Sequence, residues 1–246
     1  MARAKSTQTD TPFQFKQFAI AQDRCSMKVG TDGVLLGAWT DVSSARTALD
    51  IGTGTGVIAI MLGQRRSDMH VHAVELEPEA CAQARENMAA APWSDRLTLH
   101  EQPVQEFARY TDQRFDLIVS NPPFFSGGTF SDRQDRNQVR HTIKLPHGDL
   151  LTAARQLLTE EGRFCVILPL IEGLRFQELA QTYNLFCTKL TEVLPRPNKP
   201  VERLLMEFQL AEKPCRKDQL ILQKQEGQNN WTEAYANLTR AFYLHL

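Results

Sequence analysis

Asn121-Pro122-Pro123-Phe124 directly follows the apolar, β-branched run 115–120, Phe-Asp-Leu-Ile-Val-Ser. Such a run reads as a buried strand. Pro123 can neither donate to a ladder nor let Pro122 turn helical, so the strand stops in a rigid corner. In an open α/β sheet, the carboxyl end of a strand is where ligands bind. The corner suits a planar amine. The Asn121 side-chain oxygen and the Pro122 carbonyl can accept both N–H bonds of an NH₂ group, which draws its lone pair out of conjugation and aims it at an electrophile. Phe124 can stack on the ring that carries the amine. The plainer reading of the tetrapeptide is a strand-ending turn with a core phenylalanine, so the surrounding residues decide.

Earlier in the chain, Ala48-Leu-Asp50-Ile-Gly52-Thr-Gly54-Thr-Gly56 precedes Val57-Ile-Ala-Ile-Met-Leu62. This reads as strand, glycine turn and helix. Glycines at alternate positions let backbone approach a ligand with no Cβ in the way, and the helix behind presents free N–H groups. About twenty residues on, the strand His70–Glu75 ends in an acid, and a carboxylate there can accept both ribose hydroxyls of an adenosine-type cofactor. Glu77 competes with Glu75, although Pro78 suggests that it already opens a helix. The spacing also fits a dinucleotide enzyme. Asp50 before the first glycine instead fits a ligand whose amino acid part it would face, namely S-adenosylmethionine.

The elements that must position these groups follow in order. Residues 1–12 are polar; Phe13–Ala21 and Cys25–Val29 read as a small hairpin around Gln22-Asp23-Arg24. Gly30-Thr31-Asp32 offers an N-cap to the apolar helix beginning at Val34, with Thr31 and Asp32 either as plain caps or closing over the cofactor. Further strands are expected at Leu97–His100 and Arg163–Leu168, and helices at Glu77–Met88, Val104–Tyr110 and Gly148–Thr159, the last ended by Gly162. An antiparallel hairpin, Leu185–Leu194 with Val201–Leu210, carries a basic, prolyl tip that includes Arg196 and Lys199. Trp231, Tyr235, Leu238 and Phe242 have helical spacing. Arg133, Arg136 and Arg140, in a segment rich in Gly, Ser and Asp, read either as a solvated loop or as phosphate contacts beside the corner.

Whole-chain properties narrow the classes. At 246 residues, 42% hydrophobic and 23% charged, the chain is an ordinary globular protein of one or two domains. A net charge of −1 excludes a uniformly basic coat, so any polyanion must meet a local patch. Cys25, Cys81, Cys165, Cys187 and Cys215 are scattered, without a Cys-x-x-Cys pair or a nearby His cluster. That predicts reduced thiols in a cytoplasmic protein and no metal site. No apolar run reaches membrane-spanning length.

Strand-glycines-helix, the acid at strand two and Asn-Pro-Pro-Phe at strand four together resemble the Rossmann-like, S-adenosylmethionine-dependent methyltransferases of exocyclic and amide nitrogens. Phe15-Lys-Gln-Phe18, Asp23-Arg-Cys25, Met27-Lys-Val-Gly-Thr-Asp-Gly33, Leu35–Trp39, Glu233-Ala-Tyr235 and Ala241–Leu244 extend the likeness to the bacterial tRNA1(Val) adenine-N6-methyltransferase family, over nearly the whole chain. The resemblance implies a seven-stranded, mostly parallel α/β sheet with helices on both faces and an antiparallel terminal hairpin. It divides into residues 1–40 as a cover, 41–212 as the methyltransferase core and 213–246 as a C-terminal extension. It implies that Thr31, Asp32, Asp50, Gly52, Gly54, Gly56, Glu75 and Asn121 hold the cofactor, and that Asn121, Pro122, Pro123 and Phe124 form the catalytic corner. Arg133, Arg136, Arg140, Arg196 and Lys199 are the RNA contacts to expect. The family more often has Tyr where Phe124 stands, and an Asp where Pro103 follows strand three, with Gln102 as the substitute toward the cofactor adenine. The implied partner is a valine tRNA, acted on by a monomer without metal or membrane. Methylation of guanine N2 in ribosomal RNA, of glutamine N5 in a protein, and a non-catalytic RNA-binding role are the rivals.

Overall fold

The computed structural model describes residues 11–25, 27–123, 145–225, 227 and 230–245. A two-stranded antiparallel ladder comes first, β1 (Phe13–Gln14) with β2 (Ala19–Ile20), followed by helix α1 (Thr31–Trp39). The main chain of alternating elements is then β3 (Thr47–Ile51), α2 (Val57–Arg65), β4 (His70–Glu75), α3 (Pro78–Ala90), β5 (Leu97–Glu101), α4 (Val104–Tyr110) and β6 (Phe115–Ser120). Beyond residue 145 come α5 (His147–Leu157), β7 (Leu158–Pro169), α6 (Leu170–Thr182), β8 (Phe186–Leu194), β9 (Arg203–Gln209), β10 (Arg216–Ile221) and α7 (Glu233–Thr239).

Among the described residues the large sheet has eight strands in the order β10-β8-β9-β7-β6-β3-β4-β5. The pairs from β7 through β6, β3 and β4 to β5 are parallel, while β9 runs antiparallel to β7 and β8. Strand alternation sends side chains to two cores. Leu117 and Val119 of β6 join α1, α2 and α3 on one face, and Ile118 joins α4, α5 and α6 on the other. Helices on both faces follow from strands that are apolar on both sides.

Several boundaries differ from expectation, each for a local reason. The eighth strand, β10, pairs in parallel with β8, yet its first four residues are exposed and polar, so only its apolar end, the strand-like Leu220-Ile221, is legible in the sequence. The ladder near the amino end turns at residues 15–18 rather than at 22–24. Phe15 stacks on Phe18 within that turn, at 4.5 Å between centroids, and on Tyr243 of the tail. The expected helix over Gly148–Thr159 stops at Leu157, and Gly162 belongs to the irregular start of β7, where a Cβ would stand 2.8 Å from the Phe115 carbonyl oxygen. The tail is helical only over Glu233–Thr239. Its end pairs with the first turn through Lys16 N–H to the Phe242 carbonyl and the Phe15–Tyr243 bridge.

Candidate active site

β3 and β6 are neighbours at the centre of the sheet, and both end at the same level. The Ser120 hydroxyl donates to the Ile51 carbonyl at 2.8 Å, so the corner that starts at Asn121 is held against the glycine turn that starts at Gly52. Pro122 is buried and Pro123 exposed. Phe124, Arg133, Arg136 and Arg140 lie outside the described residues.

The turn needs its glycines. Gly52, Gly54 and Gly56 have φ of 72°, 56° and 84°, a region costing other residues about 1–2 kcal/mol each. A Cβ on Gly52 or Gly54 would meet nothing within 4 Å. Both glycines therefore border open space, and they line two adjoining cavities of about 450 and 520 Å³ that share Met27, Gly52, Gly54 and Asn121. On one side of Asn121, Thr31, Asp32, Thr53, Val57, Pro195 and Arg203 line the smaller cavity. On the other, Glu75, Leu76, Gln102, Pro103 and Pro122 line the larger. Asn121 thus stands where the two meet.

Polar side chains beneath the turn fix its backbone. Glu75 Oε2 accepts from Gly54 N–H at 2.9 Å, and Oε1 accepts from Leu76 N–H at 2.8 Å and Glu77 N–H at 3.0 Å. A carboxylate offers about four acceptor sites, so backbone already occupies most of Glu75. Asp50 departs from expectation. It lines neither cavity but lies fully buried under the turn, where Oδ2 accepts from the Thr53 hydroxyl at 2.5 Å and Ala59 N–H at 3.2 Å, and Oδ1 has no partner among the described residues. Burial pushes its carboxyl up from 3.8 to about 7, against the pull of the Thr53 and Ala59 hydrogen bonds. Asp50 lies within β3, paired with Ala73 and Val119, on the same face as Ala48, where α2 covers it; the motif's spacing alone does not report that cover.

The segment between β2 and α1 covers both cavities. Asn87 of α3 pins it: Oδ1 accepts from Ala21 N–H at 2.9 Å, while Nδ2 donates to the Ala21 and Thr55 carbonyls at 2.8 Å each. Arg24 N–H donates to Gln83 Oε1, and Val29 N–H to Gln22 Oε1. Met27, 56% exposed, reaches both cavities. Thr31 and Asp32 are not caps: the N-cap of α1 is Gly30, with no side-chain acceptor. Asp32 instead accepts from Arg203 Nε at 2.9 Å. Arg203 was not foreseen, since it is 171 positions from Asp32 and no local pattern distinguishes it. Of the expected RNA contacts, Arg196 and Lys199 stand in the β8–β9 turn beside Pro195, which lines the smaller cavity. Among the described residues, no group of three or more His, Cys, Asp or Glu is arranged to hold a metal, and no helix is long and apolar enough to cross a membrane.

A mostly parallel sheet with a glycine turn and a prolyl corner at adjacent strand ends fits the Rossmann-like methyltransferase class, and residues 28–170 match the family described as the methyltransferase small domain. The fold is shared with a predicted O-methyltransferase from Agrobacterium tumefaciens, at a TM-score of 0.68 and 18% identity over 86% of this chain and 96% of that one. A glycopeptide N-methyltransferase solved with S-adenosylmethionine matches at a TM-score of 0.54 and 16% identity, over 75% of this chain and 100% of that one. Relatives from Escherichia coli O157:H7 and Shigella sonnei, each named tRNA1(Val) (adenine(37)-N6)-methyltransferase, are 43% identical over 100% of both chains. The chain belongs to the tRNA1(Val) (adenine(37)-N6)-methyltransferase family.

Proposed function

We propose that this protein transfers a methyl group from S-adenosylmethionine to the exocyclic N6 of adenosine 37, 3′ of the anticodon, in tRNA1(Val). The observation that carries the reading is the position of Asn121 at the junction of two cavities in a chain 43% identical from end to end to enzymes of that name. When bound, S-adenosylmethionine supplies an electrophilic methyl on a sulfonium. The glycine cradle accommodates it, because Gly52 and Gly54 leave the space that side chains would fill. In this reading Glu75, with three acceptor sites held by backbone, offers its remaining one to a ribose hydroxyl, Leu76, Gln102 and Pro103 flank the adenine, and Asp32 and Thr31 border the amino acid end. Asp50 serves by holding the turn.

The target adenine is buried in a stacked strand until it is turned out, since its N6 cannot otherwise reach a reacting centre. Asn121 Oδ1 and the Pro122 carbonyl then accept its two N–H bonds and fix the nitrogen lone pair in line. Positioning of this kind can supply much of a rate enhancement. The proton leaves after the nitrogen has become positive, so no strong base is required beside Asn121. Phe124 is assigned the stack on the base, worth about 1–3 kcal/mol. Arg133, Arg136, Arg140, Arg196 and Lys199 are assigned the phosphates. The proposal includes a cover (1–40), a core (41–212) and an extension (213–246), and a cytoplasmic monomer specific for the valine isoacceptor, consistent with five free thiols.

The test is transfer of labelled methyl from S-adenosylmethionine to total tRNA from a strain lacking this enzyme, followed by nucleoside analysis. N6-methyladenosine at position 37 of one valine tRNA is the expected product. Label in ribosomal RNA or protein instead would overturn the substrate.

A further inference from the structure

Among the described residues, four charged side chains line the smaller cavity: Lys28, Asp32, Glu202 and Arg203. They are two of each sign. Arg203 Nε donates to Asp32 Oδ2 at 2.9 Å and Arg203 Nη1 to the Glu202 carbonyl at 3.1 Å, which joins the first turn of α1 to the start of β9 across the cavity. The two side chains keep 30% and 22% of their surface exposed. As a clamp alone, so exposed a pair contributes little. It does, however, set a cation and an anion side by side on the wall of a ligand-sized space.

The balance of charge indicates what fits there. A phosphate needs an excess of positive charge, which the described residues of this wall do not supply. A ligand with one ammonium and one carboxylate on the same carbon matches a neighbouring Asp and Arg without leaving either unpaired. The backbone favours the same ligand. α1 begins at Gly30 and α2 at Gly56, neither of which offers a side-chain acceptor to the first-turn amides, and residues of both helix starts line this cavity. Amino ends of helices favour a carboxylate. The adjoining cavity, with Glu75 and Gln102, lies beyond Asn121, so a molecule spanning both would place its amino acid end against Asp32 and Arg203.

We propose that Arg203 and Asp32 together form the receptor for the α-amino acid end of S-adenosylmethionine, Arg203 donating to the carboxylate and Asp32 accepting from the ammonium. This rests on the methyl-transfer reading above. A guanidinium has five donors in a fixed fork, so holding Asp32 is compatible with holding a second carboxylate. The pair orders itself before the ligand arrives, which limits the entropy lost on binding. Because the spent cofactor keeps the same amino acid end, both forms are held alike, and losing the pair raises KM more than it lowers kcat.

Calorimetric titration of the full chain with three ligands tests this. S-adenosylhomocysteine carries the whole amino acid end, decarboxylated S-adenosylmethionine only the ammonium, and 5′-methylthioadenosine neither. Arg203→Met is expected to weaken S-adenosylhomocysteine about 10- to 100-fold, as for loss of a charged hydrogen-bond partner, and to leave the other two within about 3-fold of wild type, the error-sized change expected where no contact is lost. Asp32→Asn is expected to weaken the first two ligands and spare the third. Retained 5′-methylthioadenosine binding also shows that a variant is folded. If Arg203→Met loses it, Arg203→Lys, which keeps the cation without the fork, is read instead and should weaken S-adenosylhomocysteine alone. Equal weakening of all three ligands, or of none, overturns the assignment. Wild-type protein that binds none of them removes the cofactor reading itself, whereas equal wild-type affinity for S-adenosylhomocysteine and 5′-methylthioadenosine removes only the role of the pair.

Discussion

Replacing Asp50 by asparagine should change how stability depends on pH more than it changes stability itself. The carboxyl is fully buried, one oxygen lacks a partner among the described residues, and burial lifts it from 3.8 to about 7. An acid with a raised folded-state pKa is protonated in the native protein where the unfolded chain is already ionised. Between about pH 4 and pH 7 the native state therefore binds the extra proton, and this contribution to stability is lost as pH rises through that window. At roughly 1.4 kcal/mol per pH unit, going from pH 8 to pH 5 should favour the wild type by up to about 3 kcal/mol, and by roughly half that if water relaxes the site. The amide that replaces the carboxyl cannot titrate. It introduces a fixed offset, so only the slope is informative. His72 acts in the opposite sense: burial beside His100 lowers it to about 4, which makes the native state lose stability as pH falls below about 6.5. The difference between Asp50→Asn and wild type cancels that term. Denaturant melts of both proteins at pH 5, 6, 7 and 8 provide the assay, with the variant gaining on the wild type as pH rises. A difference that stays constant within about 0.5 kcal/mol, the usual additivity error, would refute the buried, proton-binding account of Asp50.

Three other substitutions probe the site from different sides. Asn121→Ala should lower methyl transfer by a factor of roughly 10² or more, as expected when oriented hydrogen bonds to a reacting group are lost, while S-adenosylhomocysteine affinity measured by calorimetry falls far less; undiminished turnover would remove Asn121 from the chemistry. Gly54→Ala must hold an alanine at φ 56° and put a methyl into the cradle. It should lower the melting temperature by about 2–8 °C, for the 1–2 kcal/mol of a left-handed residue, and reduce cofactor affinity as well. Asn87→Ala strands the Ala21 amide and the Ala21 and Thr55 carbonyls, at a cost of about 2–4 kcal/mol. Limited proteolysis should then cut first within residues 22–30, and unchanged cleavage would argue against Asn87 as their anchor.

What could be read from the sequence was whatever depends on neighbours along the chain. The glycine turn, the acid at the end of β4 and the prolyl corner after β6 each combine a buried strand with residues that end it, and these are local patterns. Contacts made across the fold were not legible. Asp32 reads as a cap because it opens a helix, and only β9 gives it Arg203 as a partner. Asn87 and Gln83 look like ordinary polar positions on a helix rich in Ala and Glu, yet both are buried against the covering segment. Asp50 shows the same limit within a motif: its type and spacing fit a cofactor ligand, but the direction of its side chain depends on how α2 packs behind the turn.

Polar side chains from four elements converge on the glycine turn, mostly on its backbone. Asp50 accepts from the Thr53 hydroxyl and the Ala59 amide, Glu75 holds Gly54, Ser120 holds Ile51, and Asn87 holds Thr55. Buried polar groups contribute most when partnered, and apart from the Thr53 hydroxyl the partners cited here are peptide groups that shape the two cavities. That distribution suits a transfer in which the amine needs geometry more than a strong base, because its proton becomes acidic only after attack. The covering segment follows the opposite rule. It is fastened by a few hydrogen bonds from α3 and carries an exposed Met27 over the junction of the cavities. The floor therefore fixes the turn from several strands, while the cover is held to α3 at Asn87 and Gln83 and supplies residues that line both cavities.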